Sequence, residues 1–203
     1  MDRELFFISA RAKVFGGHLT QLQVDGLNAI LDYWAAHYPG AAWEWIAYSL
    51  ATTWWETAHT MAPISEVCHG RGRPYGVVDP ETGETYYGRG LVQLTWSYNY
   101  RSVGDDIGID LLNEPSLALR LDVATKILVE GMVYGWFTGR ALRHFFGSGV
   151  DDPVNARRII NGLDHAAEIA AVHRSFLAAL RAASPVQVAA KPAAVGAVGT
   201  DHA

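Results

Sequence analysis

Cysteine is almost absent from this chain of 203 residues: Cys68 stands alone. An internal disulfide framework is therefore excluded, and folding does not depend on an oxidising compartment. Charge is sparse as well, with 16 Lys and Arg against 21 Asp and Glu and a formal net charge of -5. Sequence-independent nucleic-acid binding needs clustered cations and is not expected. No apolar run approaches the roughly 20 residues of a membrane span, so no stable membrane insertion is expected. The amino-terminal stretch MDRELFFISARAKVFGG is charged at once, and its apolar run, Leu5 to Ile8, is too short for the core of a secretory signal. The expectation is a soluble protein made in the cytoplasm. A substrate outside the membrane would require a separate helper, such as a holin, to release it. Internal repeats are lacking too.

What the chain does have is apolar bulk. Half its residues are hydrophobic and seven are Trp, enough to bury a core. The length suits one domain, here residues 1–183, with a tail at 184–203 where composition collapses to Ala, Val, Pro and Gly. That tail has no apolar period and is expected to be flexible.

Helical signals dominate the domain. Thr20 and Gln23 form a capping box ahead of Leu27, Ile30, Leu31 and Trp34, which predicts a helix that stops before Pro39-Gly40. Trp43, Ile46, Ala47, Leu50 and Trp54 keep the helical period in a second helix, which carries Glu56 near its end. Residues 62–85 are rich in Gly and Pro and read as loop, with DPETGET as a tight turn between short extended pieces. YYGRGLVQLTW reads as a short strand or as a strand leading into a helix. Asn113 and Pro115 open another helical stretch, and Asp122 is expected to cap an apolar run ending near Phe137. DDPVNARRIIN starts with an Asp cap and an early Pro. Ala166 to Ala183 is a last amphipathic helix with Ile169, Val172, Phe176 and Leu180 on one face.

Glu56 lies in TTWWETAHT, a carboxylate at the end of an apolar, Trp-rich helix. A solvated helix-end side chain is one reading. A general acid is the other: apolar neighbours such as Trp55 would disfavour ionisation, as an acid that protonates a glycosidic oxygen requires. Glycoside hydrolysis also needs a second carboxylate across the scissile bond, and Glu66 on the following loop is a candidate. Glu56 and His59 also spell Glu-x-x-His, as in di-iron bundles, but the second copy such sites need does not occur. No metal and no cofactor is expected. Cys68 beside His69 hints at a thiol amidase, although adjacency in sequence is not how such pairs form. In YYGRGLVQLTWSYNY, residues 86–100, Gln93, Thr95, Ser97 and Asn99 alternate with apolar residues. If extended, the segment would put several polar groups on one side among many aromatics. Aromatic planes beside amides and hydroxyls suit sugar binding.

ETAHTMAPISE, YYGRGLVQLTWSYNY and ARRIING, in that order over residues 56–162, resemble glycoside hydrolase family 19. That family holds plant-type chitinases and many phage or prophage endolysins. The resemblance implies a mainly α (α+β), lysozyme-like helical domain with a small β element and a central cleft, and a mechanism that inverts the anomeric centre. It makes Glu56 the general acid and Glu66 the general base acting on a water that Thr95 helps to hold. It makes Gln93, Tyr98, Asn99 and Asn161 contacts to sugar, and Arg89 with its flanking glycines structural. Three positions depart from the pattern: Trp55 replaces a frequent His, Gly-Leu-Asp follows Asn161, and Glu168 stands near where many members carry a basic residue.

The short loop between Glu56 and Glu66 resembles phage-type members. The expectation is thus an endolysin-type, muramidase-like monomer acting on the glycan strands of bacterial peptidoglycan. A chitinase with the same chemistry is the nearest alternative. A non-catalytic wall-binding module and a Cys68 amidase are the others.

Overall fold

A computed structural model of the protein describes residues 1–184. The tail read at 184–203 lies, beyond Ser184, outside the described residues. In chain order come helices α1 (Arg3–Lys13), α2 (Gln21–His37) and α3 (Trp43–Glu56), strands β1 (Ile64–Ser65) and β2 (Arg89–Gly90), helices α4 (Ser97–Ile107) and α5 (Leu121–Tyr134), strands β3 (Phe146–Gly147) and β4 (Val150–Asp151), and helix α6 (Ala166–Ala182). The mainly helical class with a small β element is what the chain forms. None of the described helices is long and apolar enough to cross a membrane.

The capping box forms as its sequence dictates. The Thr20 hydroxyl accepts from the Gln23 N–H at 3.3 Å, and the Gln23 side chain accepts from the Thr20 N–H at 2.8 Å. Helix α2 then buries Leu27, Ile30, Leu31 and Trp34, and the Trp34 indole donates to Ser49 of α3 at 2.9 Å. Every residue of α3 from Ile46 to Thr53 is buried, by α6 above all and by α2 and α5 as well. A helix wrapped on all sides is a fixed axis, and its last residue, Glu56, is held wherever that axis ends.

Several expectations give way to other local solutions. Helix α1, absent from the sequence reading, is capped by Asp2 through the Leu5 N–H at 3.1 Å and buries Phe6 and Ala10 against α6. Its apolar positions are four apart, a signal too brief to stand out beside the charged residues around it. Asp122 does not cap α5: Arg120 holds the capping position, and Asp122, inside the helix, pairs with it at 2.6 Å. The helix ends at Tyr134, before Phe137, because Gly135 turns left-handed with φ 84°. Asn113 and Pro115 lead only into a 3-10 turn, Pro115–Leu119. Asp152 accepts from the Asn155 N–H at 3.0 Å, but the capping position is held by Val154, and the element is again a 3-10 turn, Asn155–Ile159. The DPETGET turn forms around Asp79, which accepts from the Glu81 and Thr82 N–H groups, with no strand on either side. The β3–β4 hairpin was not foreseen.

The YYGRG segment begins as a strand leading into a helix. Strand β2 pairs antiparallel with β1, Ile64 opposite Gly90 and Ser65 opposite Arg89. The chain then folds back on itself through Gln93 (φ 55°) and Trp96 (φ 73°) and enters α4. The alternating polar face of an extended strand is therefore not formed, and Ser97 and Asn99 belong to a helix. Arg89 holds the segment in place. Its guanidinium lies 3.6 Å over the Tyr87 ring and donates to the Thr85 carbonyl and the Tyr100 hydroxyl at 2.9 and 3.1 Å. Its expected structural role fits this geometry.

One buried base carries a consequence for acid stability. His173 of α6 is 1% exposed between Tyr48 and Phe146, with ring centroids 5.7 and 5.3 Å away, and its Nδ1 has no hydrogen-bond partner among the described residues. Burial pushes the imidazole down to about 4 from an ordinary 6.5. Between those values the unfolded chain binds a proton that the folded chain excludes, so stability falls as pH falls through the window. The full shift corresponds to about 3 kcal/mol. His173→Phe, whose ring suits the same aromatic slot, should flatten the decline in melting temperature between pH 6.5 and 4. Equal slopes for the variant and the wild type would show that this histidine does not set the acid sensitivity.

Candidate active site

Glu56 is the last residue of α3. Beyond it the Thr57 hydroxyl donates back to the Thr53 carbonyl at 2.7 Å, and the chain reverses through Ala58, His59 and Met61, all with positive φ. Helix α2 closes over this reversal. A Cβ on Gly26 would come within 1.8 Å of the Met61 carbonyl oxygen, so only glycine permits the approach. Gln23 donates to the His59 carbonyl at 3.0 Å, and the His59 ring lies on Trp54 with centroids 3.6 Å apart.

A carboxylate at a helix C-terminus faces the negative end of the helix dipole and needs a cation. Arg157 of the Asn155–Ile159 turn supplies it, its Nη1 donating to Glu56 Oε1, with the two side chains only 6% and 13% exposed. Arg157 is positioned in turn by a bond from its Nε to the Asp164 carbonyl at 3.3 Å. The apolar surround expected of Trp55 is thus not what receives the carboxylate, and the Trp55 ring packs on His165 instead, 4.5 Å between centroids. Oε2 of Glu56 has no hydrogen-bond partner among the described residues and is the oxygen left for chemistry.

Glu66 continues the small β ladder. Its N–H donates to the Gly88 carbonyl at 2.7 Å, and its side chain turns back so that Oε2 accepts from the Gly88 N–H at 3.1 Å. Oε1 accepts from the Tyr75 hydroxyl at 2.9 Å. Two donors aimed at one carboxyl group suit an anion. A Cβ at position 88 would sit 2.9 Å from Gln93 Oε1 and 3.3 Å from Glu66 Cβ, so the glycine lets the two side chains lie together.

Both carboxylates open into one cleft of about 600 Å³. All seven residues singled out in the sequence line it: Glu56, Glu66, Gln93, Thr95, Tyr98, Asn99 and Asn161. Gln93 and Asn99 commit their amide nitrogens to backbone, to the Ile64 carbonyl at 3.1 Å and the Thr95 carbonyl at 2.9 Å, and keep their amide oxygens. The Thr95 hydroxyl has no partner among the described residues. On the facing wall the Thr138 hydroxyl donates to the Arg158 carbonyl at 2.6 Å, joining Phe137 and Thr138 to Ile160 and Asn161. A separate hollow of about 400 Å³ between Trp34, Tyr38 and Trp43 has no acidic side chain in its lining.

Three cleft features escaped the sequence reading. Arg157 stands in ARRIING, where a cation between the buried Ala156 and Ile159 was the available signal. Tyr75 sits in a loop with no period to mark it. Trp96 was inside the most informative segment, but its left-handed backbone cannot be read from residue type. Cys68 is exposed, the His69 ring stacks on Tyr87 with centroids 4.6 Å apart, and neither residue lines the cleft.

Residues 45–144 match the family model for class I chitinases, glycoside hydrolase family 19. Among curated proteins, an inactive chitinase-like protein 1 of Hevea brasiliensis is 46% identical over 55 residues, 27% of this chain and 16% of that protein. Endochitinase A2 of Pisum sativum is 45% identical over 56 residues, 28% of this chain and 16% of its own length. The matched stretch thus spans about a sixth of each relative. The crystal structure of chitinase C from Streptomyces griseus HUT6037 superposes with a TM-score of 0.51 at 24% identity, covering 89% of this chain and 90% of that one, a likeness of fold.

The ion pair under the cleft should show in stability. Arg157→Met leaves the Glu56 carboxylate sheltered and unpaired, and urea denaturation should report a loss of about 3 kcal/mol. Combining it with Glu56→Leu should recover much of that loss. Additive losses in the double variant would mean that the two side chains do not act as a pair.

Proposed function

We propose that this chain is a family 19 glycoside hydrolase that cuts β-1,4 bonds in chitin-type polymers of N-acetylglucosamine. The observation that carries the reading is the meeting of Glu56 and Glu66 in one cleft, on the segment that matches the family model. The sequence expectation put peptidoglycan and an endolysin-type enzyme first. The relatives bear chitinase names, which moves chitin to first place and leaves peptidoglycan as the competing substrate.

Each residue then has a task set by its surroundings. Arg157 holds Glu56 Oε1, so Oε2 carries the proton to the glycosidic oxygen as the bond to the anomeric carbon breaks. Glu66, held by the Tyr75 hydroxyl and the Gly88 N–H, takes a proton from a water. That water attacks the anomeric carbon from the face opposite the leaving group, with Thr95 and Asn161 available to hold it. Inversion needs room for the water between the two carboxyl groups. Gln93, Asn99 and Tyr98 contact the sugars.

A relative described as inactive makes a binding-only role the reading to defeat. Purified protein, incubated with chitin oligosaccharides and separately with peptidoglycan, should release new N-acetylglucosamine reducing ends from the first. NMR of the earliest product should show the α anomer. Glu56→Gln still offers an amide oxygen to Arg157, so it should stay folded and lose about 10²–10⁴-fold in turnover. An initial β anomer would remove the role given to Glu66, and full activity of Glu56→Gln would remove the mechanism. Cleavage of peptidoglycan alone would restore the first expectation.

A further inference from the structure

Trp96 is the most unusual residue of the cleft. It lines the wall, is 37% exposed, and adopts φ 73°, a backbone region that bulky side chains rarely occupy. Three backbone bonds hold it there. Its N–H donates to the Tyr86 carbonyl at 2.9 Å, and its carbonyl accepts from the Asn99 and Tyr100 N–H groups at 3.0 and 3.1 Å. A strained conformation kept by several bonds points to a use for the side chain it presents.

The indole is part of a set. Tyr98, 62% exposed, lies nearly parallel to it, with planes within 23° and centroids 6.0 Å apart. At that separation the rings are offset rather than face to face, so ring surface stays open for another flat partner. From another direction Tyr75 meets Trp96 edge-on, centroids 5.3 Å apart at 75°. This is the tyrosine whose hydroxyl holds Glu66. Burial and the Glu66 carboxylate push that hydroxyl above its ordinary range, so it stays a donor. One residue ties the frame together: the Tyr86 N–H donates to the Tyr75 carbonyl at 3.0 Å, and the Tyr86 carbonyl accepts from Trp96.

We propose that Trp96, with Tyr98, forms an outer subsite on which a pyranose ring of the glycan stacks, and that Tyr75 is a positioning residue linking occupancy of that subsite to the placement of Glu66. This rests on the glycosidase reading above. A sugar on the indole face fixes Trp96, the edge contact fixes the Tyr75 ring, and the Tyr75 hydroxyl fixes the carboxylate that activates water. Long substrates then gain twice: in binding, through the stack, and in turnover, through the base.

The test compares the tetramer and hexamer of β-1,4-linked N-acetylglucosamine as substrates. Trp96→Ala should lower the hexamer-to-tetramer ratio of kcat/KM by about tenfold, the size of one aromatic stack, and Trp96→Phe should restore most of it. Tyr98→Ala removes a half-open cleft ring without touching position 96 and should lower the ratio as well, independently of any folding defect there. Tyr75→Phe keeps its edge against Trp96 and loses its bond to Glu66. It should retain the hexamer's advantage in KM and lose the advantage in kcat. An unchanged ratio in both Trp96→Ala and Tyr98→Ala would overturn the subsite. An equal drop in kcat for both oligomers in Tyr75→Phe would overturn the link. A wild-type protein that cleaves neither oligomer would overturn the chitin reading and the subsite with it.

Discussion

The bond between Arg157 and Glu56 joins residues 101 positions apart and sets the terms for the rest of the molecule. It puts a negative charge at the end of a deeply buried helix, where the dipole of that helix opposes it. Only a cation from elsewhere makes the arrangement tolerable. The chain brings that cation up on a short 3-10 turn, tied to Asp152 through the Asn155 N–H and held through the Asp164 carbonyl. Helix α6 comes next in the chain and packs along α3, so the helix that presents the carboxylate and the turn that answers it share one scaffold.

The second carboxylate is placed by different means. Glu66 owes its position to backbone, through the β1–β2 ladder and both hydrogen bonds of Gly88, and to the Tyr75 hydroxyl. The first group is thus fixed by charge and burial, the second by neutral donors at a ladder's end.

Much of this was legible in the residues. The capping box at Thr20 and the apolar period around Ile46 and Leu50 located α2 and α3, because short-range hydrogen bonds and helical spacing are written in the order of residues. The seven residues drawn from the three motifs all line the cleft, including Gln93, Thr95 and Asn99, even though the extended face assumed for them does not exist. They reach the cleft through left-handed turns at Gln93 and Trp96, which side-chain type does not announce. What stayed hidden came from contacts that no local period or cap announces: Arg157 as the partner of Glu56, Tyr75 as the holder of Glu66, and α1, which packs on α6. Asp122 was misread because an acidic residue in the first turn of a helix looks the same whether it caps or pairs with its neighbour.

The tight reversal after α3 bears on how such a cleft can change. Position 26 must stay glycine because the Met61 carbonyl occupies the space of a side chain. Position 88 is less exacting: a methyl there would meet the movable end of Gln93 at 2.9 Å and press on Glu66 Cβ at 3.3 Å. A lineage drifting under relaxed selection could thus displace Glu56 by a substitution that never touches it. A single carbon atom at Gly26 would shift the turn beyond that carboxylate. Reading the fate of this cleft in related chains should therefore begin at the glycine of α2, before the glutamates are counted.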